Sequence, residues 1–176
     1  MAREIAKFGA RVLRQRCAPV LQIDGKIREL IDELFSAMYA AAGVGLAAPQ
    51  IGEPVRAIVV DVSKQDPNSS PLALVNPEIL ASSGTQVGDE GCLSFPDLYG
   101  QVRRAEHVRV RALDPRGAPL EVSASGFLSR ALQHEIDHLD GRLFIDLLTP
   151  LKRQLMRGSL KRLRKEGEAW DRQHGA

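Results

Sequence analysis

Two histidines and a glutamate in one short segment are the strongest chemical signal in the sequence. The segment His134-Glu135-Ile136-Asp137-His138 is an H-E-x-x-H pattern. Residues four apart lie on one face of a helix, so both imidazoles can bind the same metal ion. Glu135 would then lie near the metal without binding it, where a general base acts on an activated water. The pattern predicts a hydrolase with a divalent metal, although two unrelated histidines on one helix would give the same letters.

A catalytic metal site of this kind needs a third protein ligand and one open position. Downstream, Asp140 and Asp146 lie in no recognisable motif, although their chemistry leaves them open as ligands. Upstream, Cys92 lies in the turn-like segment Glu90-Gly91-Cys92-Leu93-Ser94. A free cysteine is usually a small buried hydrophobe, which is our interpretation of Cys17. A thiolate is an excellent ligand for Zn²⁺ or Fe²⁺. Because a metal site with two histidines still needs a third protein ligand, Cys92 is the favoured candidate.

The bulk properties describe an ordinary globular chain. It has 176 residues, 44% of them hydrophobic, and a formal net charge of +2. We therefore expect one domain over 1–176, and the overall charge does not indicate a DNA-binding protein. No apolar run approaches the roughly 20 residues that span a bilayer, so we expect no membrane segment. Two distant cysteines without a disulfide framework favour a reducing compartment, with the cytoplasm as the default.

The elements that must position these residues can be predicted from hydrophobic periodicity. Asp24 is a plausible N-cap for a first helix, which Gly43 would end. Strand-like segments follow at 56–62 and at 72–75, the second stopped by Asn76-Pro77. Alternation over 101–113, a turn at 114–117 and a return strand at 120–124 predict a hairpin.

Two further helices are predicted near the end of the chain. One covers about 126–139 and carries the H-E-x-x-H pattern, and the other runs from about Pro150 to Trp170. The order helix, strands, helix, helix predicts an α+β fold with mixed or antiparallel sheets, because alternating βαβ units are missing.

Three segments together resemble the signature motifs of peptide deformylases, in the same order and at similar spacing. They are Gly43-Val44-Gly45-Leu46-Ala47-Ala48-Pro49-Gln50, then 90–94, then Gln133 with the H-E-x-x-H pattern. The resemblance implies an α+β fold whose H-E-x-x-H helix packs between sheets. It also implies a metal-dependent hydrolase that removes the formyl group from N-terminal formyl-methionine of nascent polypeptides and releases formate.

The resemblance also implies roles for individual residues. Cys92, His134 and His138 would bind the metal, and Glu135 would be the acid and base. The Gln50 side chain and the Leu93 backbone N–H would form an oxyanion hole. The family suggests Fe²⁺ in the cell, while Zn²⁺, Ni²⁺ and Co²⁺ also suit one cysteine and two histidines.

Substrate contacts follow from the same resemblance. Gly45 would offer backbone hydrogen bonds to the substrate, and the methionine pocket would be lined by Gly43, Val44, Phe127, Ala131 and His134. We expect Arg130 near the mouth of this pocket, with its stem packed and its charge in water. Glu90 and Arg104 are expected to form an ion pair that supports the metal-binding loop.

The predicted C-terminal helix at 150–170 is strongly basic. Seven lysines and arginines and no acidic residue lie between Leu151 and Lys165, and Leu151, Leu155 and Leu163 could form an apolar stripe. Such a charged face is either simply solvated or contacts an acidic partner such as ribosomal RNA. The family resemblance favours the ribosome.

Two other functions remain open at this point. A general metallopeptidase shares the H-E-x-x-H pattern but cleaves internal peptide bonds. A binding domain could use the metal for structure alone, although structural zinc sites normally have four protein ligands.

Overall fold

The computed structural model describes residues 1–175. Seven strands are present within these residues: β1 Gly45–Ala47, β2 Ala57–Val60, β3 Leu72–Ser83, β4 Gln86–Cys92, β5 Phe95–Arg104, β6 His107–Leu113 and β7 Pro119–Ser125. Four α-helices accompany them: α1 Gly25–Ala40, α2 Gly126–Leu139, α3 Pro150–Leu155 and α4 Arg157–His174. Short 3-10 helices cover Arg11–Arg14, Ala48–Ile51 and Phe144–Leu147.

The strands form two antiparallel sheets. The larger has the order β1-β2-β3-β6-β7, and the smaller is the β4–β5 hairpin. This confirms the predicted α+β class and the hairpin of β6 and β7. Among the described residues, no helix has both the length and the apolar character needed to cross a membrane.

Helices cover both faces of the larger sheet, which explains why every residue of β2 is buried. Ile58 and Val60 belong to the core that includes Leu132 and Ile136 of α2. Ala57 and Val59 belong to the core on the opposite face, beside Leu30, Leu34 and Met38 of α1. Successive side chains of a strand point to opposite faces, so β2 serves both cores.

Helix α2 also contacts the smaller sheet, since Arg130 donates hydrogen bonds to Glu90 of β4 and to the Val102 carbonyl of β5. The H-E-x-x-H helix therefore packs between the two sheets, as the resemblance implied. Its predicted bounds, 126–139, are confirmed.

The N-terminal segment 5–10 joins three parts of the molecule, and we call it the strap. The Ala6 N–H donates to the Gln50 carbonyl at 2.8 Å, and the Phe8 N–H donates to the Ser94 carbonyl at 3.0 Å. Helix α4 lies directly on the strap: a Cβ on Gly167 would come within 2.3 Å of the Ala10 nitrogen. The strap thus connects the last helix to the segments that carry Gln50 and Ser94.

Two predictions about the first half of the chain were wrong in detail. Helix α1 begins after the predicted cap Asp24 but ends at Ala40, and Ala42 rather than Gly43 takes the left-handed conformation, with φ 54°. Strand β3 does not stop at Asn76-Pro77. Asn76 adopts φ 51°, its side chain exchanges two hydrogen bonds of 2.8 Å with the Val20 backbone, and the strand continues beyond this irregularity.

Two predictions about the second half also need correction. The segment 101–113 is not one strand, because β5 ends at Arg104 and β6 begins at His107. The C-terminal helix is divided at Met156, which is buried. The predicted apolar stripe does not form: Leu163 is buried, whereas Leu151 and Leu155 of α3 are 67% and 74% exposed.

Candidate functional site

A cleft of about 510 Å³ lies between the segment that leads into β1 and strand β4. Residues 41–45 line one side, and residues 89–92 line the other. Helix α2 contributes a further group of lining residues: Phe127, Arg130, Ala131, His134 and Glu135. The volume lies within the usual range for small-ligand pockets.

Three potential metal ligands meet at this cleft. The ligand atoms of Cys92, His134 and His138 all lie within 4.8 Å of one another. The Cys92 Sγ lies 3.4 Å from His138 Nε2, and the two imidazole ring centroids are 5.0 Å apart. The spacing of four residues on α2 puts both imidazoles on one face, as predicted. One ion at normal bond lengths of roughly 2.0–2.3 Å could touch all three atoms.

The chemistry of these residues fits a divalent transition metal. Burial lowers the pKa of His138 well below its usual value, which favours the neutral imidazole that binds metals. One sulfur and two imidazoles form a donor set that suits Zn²⁺ and Fe²⁺ better than Mg²⁺ or Ca²⁺.

Glu90 holds the first of these histidines in place. The Nδ1 atom of His134 is hydrogen-bonded to Glu90 Oε1, which leaves Nε2 for the metal site. Burial opposes the charge of Glu90, but hydrogen bonds from His134 and Arg104 hold its pKa far below the usual range. A carboxylate partner of this kind orients a histidine ligand and increases its basicity.

The predicted ion pair between Glu90 and Arg104 is confirmed. The guanidinium donates to Glu90 through Nη2 at 2.6 Å and through Nε at 3.1 Å. Arg104 Nη1 also donates to Asp137 at 2.6 Å. Arg104 therefore connects the β4 segment to the helix that carries both histidines.

Arg130 does not place its charge in water, so that prediction was wrong. The residue is only 4% exposed. Its Nη1 donates to Glu90 Oε2 at 2.8 Å and to the Val102 carbonyl at 2.9 Å. The buried carboxylate of Glu90 attracts the guanidinium more strongly than the solvent does, because charges interact strongly in a medium of low dielectric constant. Arg130 still lines the cleft.

Glu135 has the properties of a proton carrier. It is 5% exposed, and its Oε2 has no hydrogen-bond partner among the described residues. Burial raises the pKa of Glu135 to about 7. A group with such a pKa can accept and return a proton near neutral pH.

The residues implied as the oxyanion hole lie beside the potential metal ligands. Gln50 sits on the 3-10 helix Ala48–Ile51, and its Oε1 accepts a hydrogen bond of 2.9 Å from the Ala47 N–H. Its Nε2 therefore points the other way, 3.1 Å from Ser94 Oγ and 3.5 Å from Cys92 Sγ. Leu93 lies between β4 and β5, next to Cys92.

The residues implied for the methionine pocket also lie together. Gly43, Val44, Gly45, Phe127, Arg130 and Ala131 all line the cleft. Gly43 allows the Leu93 side chain to pack closely, because a Cβ there would lie 2.6 Å from Leu93 Cδ1. The structure thus brings every predicted site residue except buried His138 to the cleft lining, and His138 lies directly behind it against Cys92.

Some residues at the cleft were not predicted from the sequence. Ser94 is completely buried and accepts the hydrogen bond from Gln50. The cleft lining also includes Lys7, Asp89, Asp97 and Tyr99. Ser94 ends the Cys92 motif and Asp89 directly precedes it, which was a usable signal, whereas nothing in the sequence connects Lys7 to the site.

Comparison with known proteins identifies the family. The family model described as Polypeptide deformylase matches residues 2–154. A peptide deformylase from Thermodesulfovibrio yellowstonii is 48% identical over 158 residues, which is 90% of this chain and 96% of that protein.

Solved structures agree with this result. The crystal structure of a peptide deformylase from Legionella pneumophila has a TM-score of 0.86 and 44% identity, and the match covers 94% of this chain and 96% of that one. Peptide deformylase from Thermus thermophilus has a TM-score of 0.87 and 38% identity, with 94% and 99% covered. The family model spans most of the chain and the relatives match over nearly their whole length, so this chain belongs to the polypeptide deformylase family.

Proposed function

We propose that the cleft hydrolyses the formyl amide of N-terminal formyl-methionine in new polypeptides and releases formate. The observation that carries this proposal is the cluster of Cys92, His134 and His138, whose possible ligand atoms lie within 4.8 Å of one another, with the buried carboxylate of Glu135 beside it on the same helix. The substrate is a nascent polypeptide, and we propose the cytoplasm as the compartment in which the enzyme meets it.

Cys92, His134 and His138 would hold one divalent ion, which supplies Lewis acidity and an activated water when bound. We propose Fe²⁺ as the ion in the cell. Zn²⁺, Ni²⁺ and Co²⁺ suit the same donors, and supply in the cell decides much of the occupancy.

Glu135 moves the proton. It accepts a proton from the attacking water and then delivers it to the amine nitrogen of methionine as the C–N bond breaks. Both steps use the same carboxylate, so a pKa near the working pH serves each of them. The absence of a partner on Oε2 among residues 1–175 leaves this oxygen available.

Gln50 and Leu93 stabilise the charge that grows on the formyl oxygen. The Gln50 Nε2 and the Leu93 N–H would donate hydrogen bonds to it, and each such donor contributes about 10²–10³ in rate. The Ala47 N–H holds the Gln50 amide in orientation, so that the donating nitrogen faces Cys92.

Gly45 and the pocket residues bind the substrate. Within the described part of the chain, strand β1 pairs only with β2 in its sheet, so its other edge can bind an extended peptide through main-chain hydrogen bonds at Gly45. The methionine side chain would enter between Gly43, Val44, Phe127 and Ala131, with the Arg130 stem as part of the wall.

The decisive experiment measures formate released from formyl-Met-Ala-Ser after each metal is added to apo-protein. We expect turnover in the wild type, and we expect Glu135→Ala to bind metal normally but to lose turnover. Glu29→Gln, on the exposed side of α1, is the control. Retained turnover in Glu135→Ala would refute the proposed role of this residue. If the wild-type protein binds metal but shows no turnover, a structural metal site would be favoured.

The same protein preparation, incubated with casein as substrate, tests the metallopeptidase alternative. A deformylase leaves casein intact, whereas a general metallopeptidase produces internal fragments. Fragments that disappear in Glu135→Ala would support the alternative.

The basic helices support ribosome docking as a second part of the proposal. A cleft of about 710 Å³ beside α3 and α4 is lined by several cations, which are Arg14, Arg153, Arg157, Lys161 and Arg164. Leu151 and Leu155 are exposed on α3 nearby. Phosphate-rich RNA complements such a surface.

Charge reversal tests the docking. The charge is reversed at three exposed residues, Lys161, Arg162 and Lys165. Arg164 is also exposed, but its guanidinium lies over the Phe8 ring, so it is left unchanged. The triple change to Glu should weaken co-sedimentation with ribosomes and leave formyl-Met-Ala-Ser turnover intact. As a matched control, the change of Arg28, Arg109 and Arg116 to Glu should not alter co-sedimentation with ribosomes. Equal co-sedimentation of both triple variants would refute docking through α4.

A further inference from the structure

Two hydrogen bonds of the strap end at the segments that carry the proposed oxyanion hole. The Ala6 N–H donates to the main-chain carbonyl of Gln50 at 2.8 Å. The Phe8 N–H donates to the main-chain carbonyl of Ser94 at 3.0 Å. Gln50 and Ser94 are joined to each other, because Gln50 Nε2 donates to Ser94 Oγ at 3.1 Å. The four residues thus form a closed ring of contacts, and each of them is buried.

The two donors of the proposed oxyanion hole belong to different parts of the fold. Gln50 follows β1 of the larger sheet, whereas Leu93 follows β4 of the smaller one. Strand pairing within one sheet therefore does not fix the distance between these donors. An oxyanion hole works through donors that are already in place, and a displacement of about 1 Å can cost about 100-fold in rate. Contacts outside the sheets are needed to set that distance.

The strap holds both peptide groups that follow the Leu93 N–H. Lys7 Nζ lies 3.4 Å from the Leu93 carbonyl oxygen, and the next carbonyl, that of Ser94, accepts the Phe8 N–H. Each peptide group is planar, so fixing two successive carbonyls restricts the backbone torsions beside Leu93. The direction in which the Leu93 N–H points therefore depends on the strap.

The strap is itself firmly packed. Ala6 and Phe8 belong to one of the hydrophobic cores. The Phe8 ring stacks on Phe95 with 5.1 Å between the ring centroids, and Phe95 meets Phe144 edge to face at 5.1 Å. Arg164 of α4 lies over the Phe8 ring, with its Cζ 5.4 Å from the centroid. These contacts keep the two donating N–H groups in fixed positions.

We propose that Ala6 and Phe8 are positioning residues, whose N–H groups hold the two oxyanion donors at the separation that the formyl oxygen requires. This inference rests on the proposed deformylase function. Neither residue lines the cleft, so both act only through carbonyls of the enzyme. Because the donors matter most when charge grows on the formyl oxygen, loss of either N–H should lower kcat and leave KM nearly unchanged.

The test removes one N–H at a time by replacing a single amide bond of the full-length chain with an ester. Residues 1–16 are synthesised and joined to recombinant residues 17–176, because Cys17 supplies the thiol for native chemical ligation. An ester at residue 6 or 8 removes the donor and keeps every side chain. An ester at residue 5 is the matched control, since the Ile5 N–H has no hydrogen-bond partner within residues 1–175.

Turnover of formyl-Met-Ala-Ser by the zinc-loaded chains is the first measurement. We expect the esters at 6 and 8 each to lower kcat about 5- to 30-fold, with KM changed by less than about twofold. The ester at 5 should match the all-amide chain, and all chains should bind the same amount of zinc. Thermal unfolding shows which chains are folded, and either of the two esters is sufficient for the comparison. Equal kcat in all chains, or a loss that appears mainly in KM, would overturn the inference.

A second measurement does not depend on activity. The recombinant part carries isotope-labelled nitrogen, so hydrogen exchange of the Gln50 side-chain amide can be followed in each chain. This side chain is 1% exposed and donates to Ser94, so its amide protons should exchange slowly in the all-amide protein. Exchange should be about tenfold faster in the esters at 6 and 8 and unchanged in the ester at 5.

The two measurements separate this inference from the proposed function. If the all-amide chain binds zinc but releases no formate, the proposed function fails, and the exchange rates still test the positioning. If formate is released but the Gln50 amide exchanges equally fast in all chains, the strap does not position this donor and the inference is wrong.

Discussion

Glu135 packs so closely against Gly45 that a Cβ on residue 45 would lie 2.5 Å from the carboxylate Oε1 and 2.9 Å from Cδ and Cγ. The first residue of β1 thus determines where the carboxylate of α2 lies. The glycine was assigned a role in backbone hydrogen bonds to the substrate, and the structure adds a steric requirement beside that role.

We predict that Gly45→Ala lowers kcat about 10- to 100-fold, because a displacement of the base by about 1 Å is enough for such a loss. Metal content should remain normal, since the three atoms nearest the added Cβ all belong to Glu135 and not to Cys92, His134 or His138. Gly25→Ala is the matched control, because nothing lies within 4 Å of the added Cβ. An unchanged kcat in Gly45→Ala would show that Glu135 can move without cost.

We predict that Arg104→Leu destabilises the protein by about 3–5 kcal/mol, since it leaves the buried Glu90 and the partly buried Asp137 without this partner. Chemical denaturation measures the change. Arg109→Leu removes an arginine that is half exposed in its ion pair with Glu121 and should cost less than about 1 kcal/mol. Equal losses in the two variants would contradict the proposed importance of the buried network.

The two cysteines should differ in reactivity. Burial raises the pKa of Cys17 to about 11, and this residue is 3% exposed, whereas Cys92 is half-buried and lines the cleft. The thiolate is the reactive form, so Cys17 should resist iodoacetamide in the native protein even at mildly alkaline pH. Peptide mapping should find the label on Cys92 in apo-protein and less label after metal is added. Labelling of Cys17 before unfolding would refute this prediction.

The contact between α4 and the strap should tolerate no side chain at residue 167. A Cβ on Gly167 would overlap the backbone of residues 8–10, so Gly167→Ala should lower stability by about 1–3 kcal/mol. Gly158→Ala lies on the same helix with open space around it and should raise stability by up to about 1 kcal/mol. Thermal unfolding of the two variants tests the difference, and similar melting temperatures would count against the close contact.

The sequence correctly predicted those structural elements that are determined by residues within one short segment. The bounds of α2, the cap at Asp24 and the hairpin of β6 and β7 depend on periodicity and turn chemistry within short segments. The same holds for the two histidines, which a helix places on one face. The inference that Cys92 binds the metal did not come from a local pattern, because it depended on the need for a third ligand.

The wrong predictions depended on distant partners. Arg130 is buried because Glu90, forty residues earlier, accepts its hydrogen bond. Strand β3 continues past Asn76 because the Val20 backbone satisfies the asparagine side chain. Strands β4 and β5 contain Gly88, Gly91 and Gly100, which weaken the strand pattern in the sequence but allow Arg130, Tyr99 and Leu148 to approach closely. Single-sequence patterns contain no information about such partners.

The strap has a consequence for how the protein is made. Residues 6 and 8 leave the ribosome early, but their hydrogen-bond partners are at 50 and 94, and the helix that lies on them is centred near residue 167. At about 5–20 residues per second, synthesis of the whole chain takes on the order of ten to thirty seconds. The contact with α4 can form only after residue 167 has been made, so the strap is among the last parts of the fold to be completed.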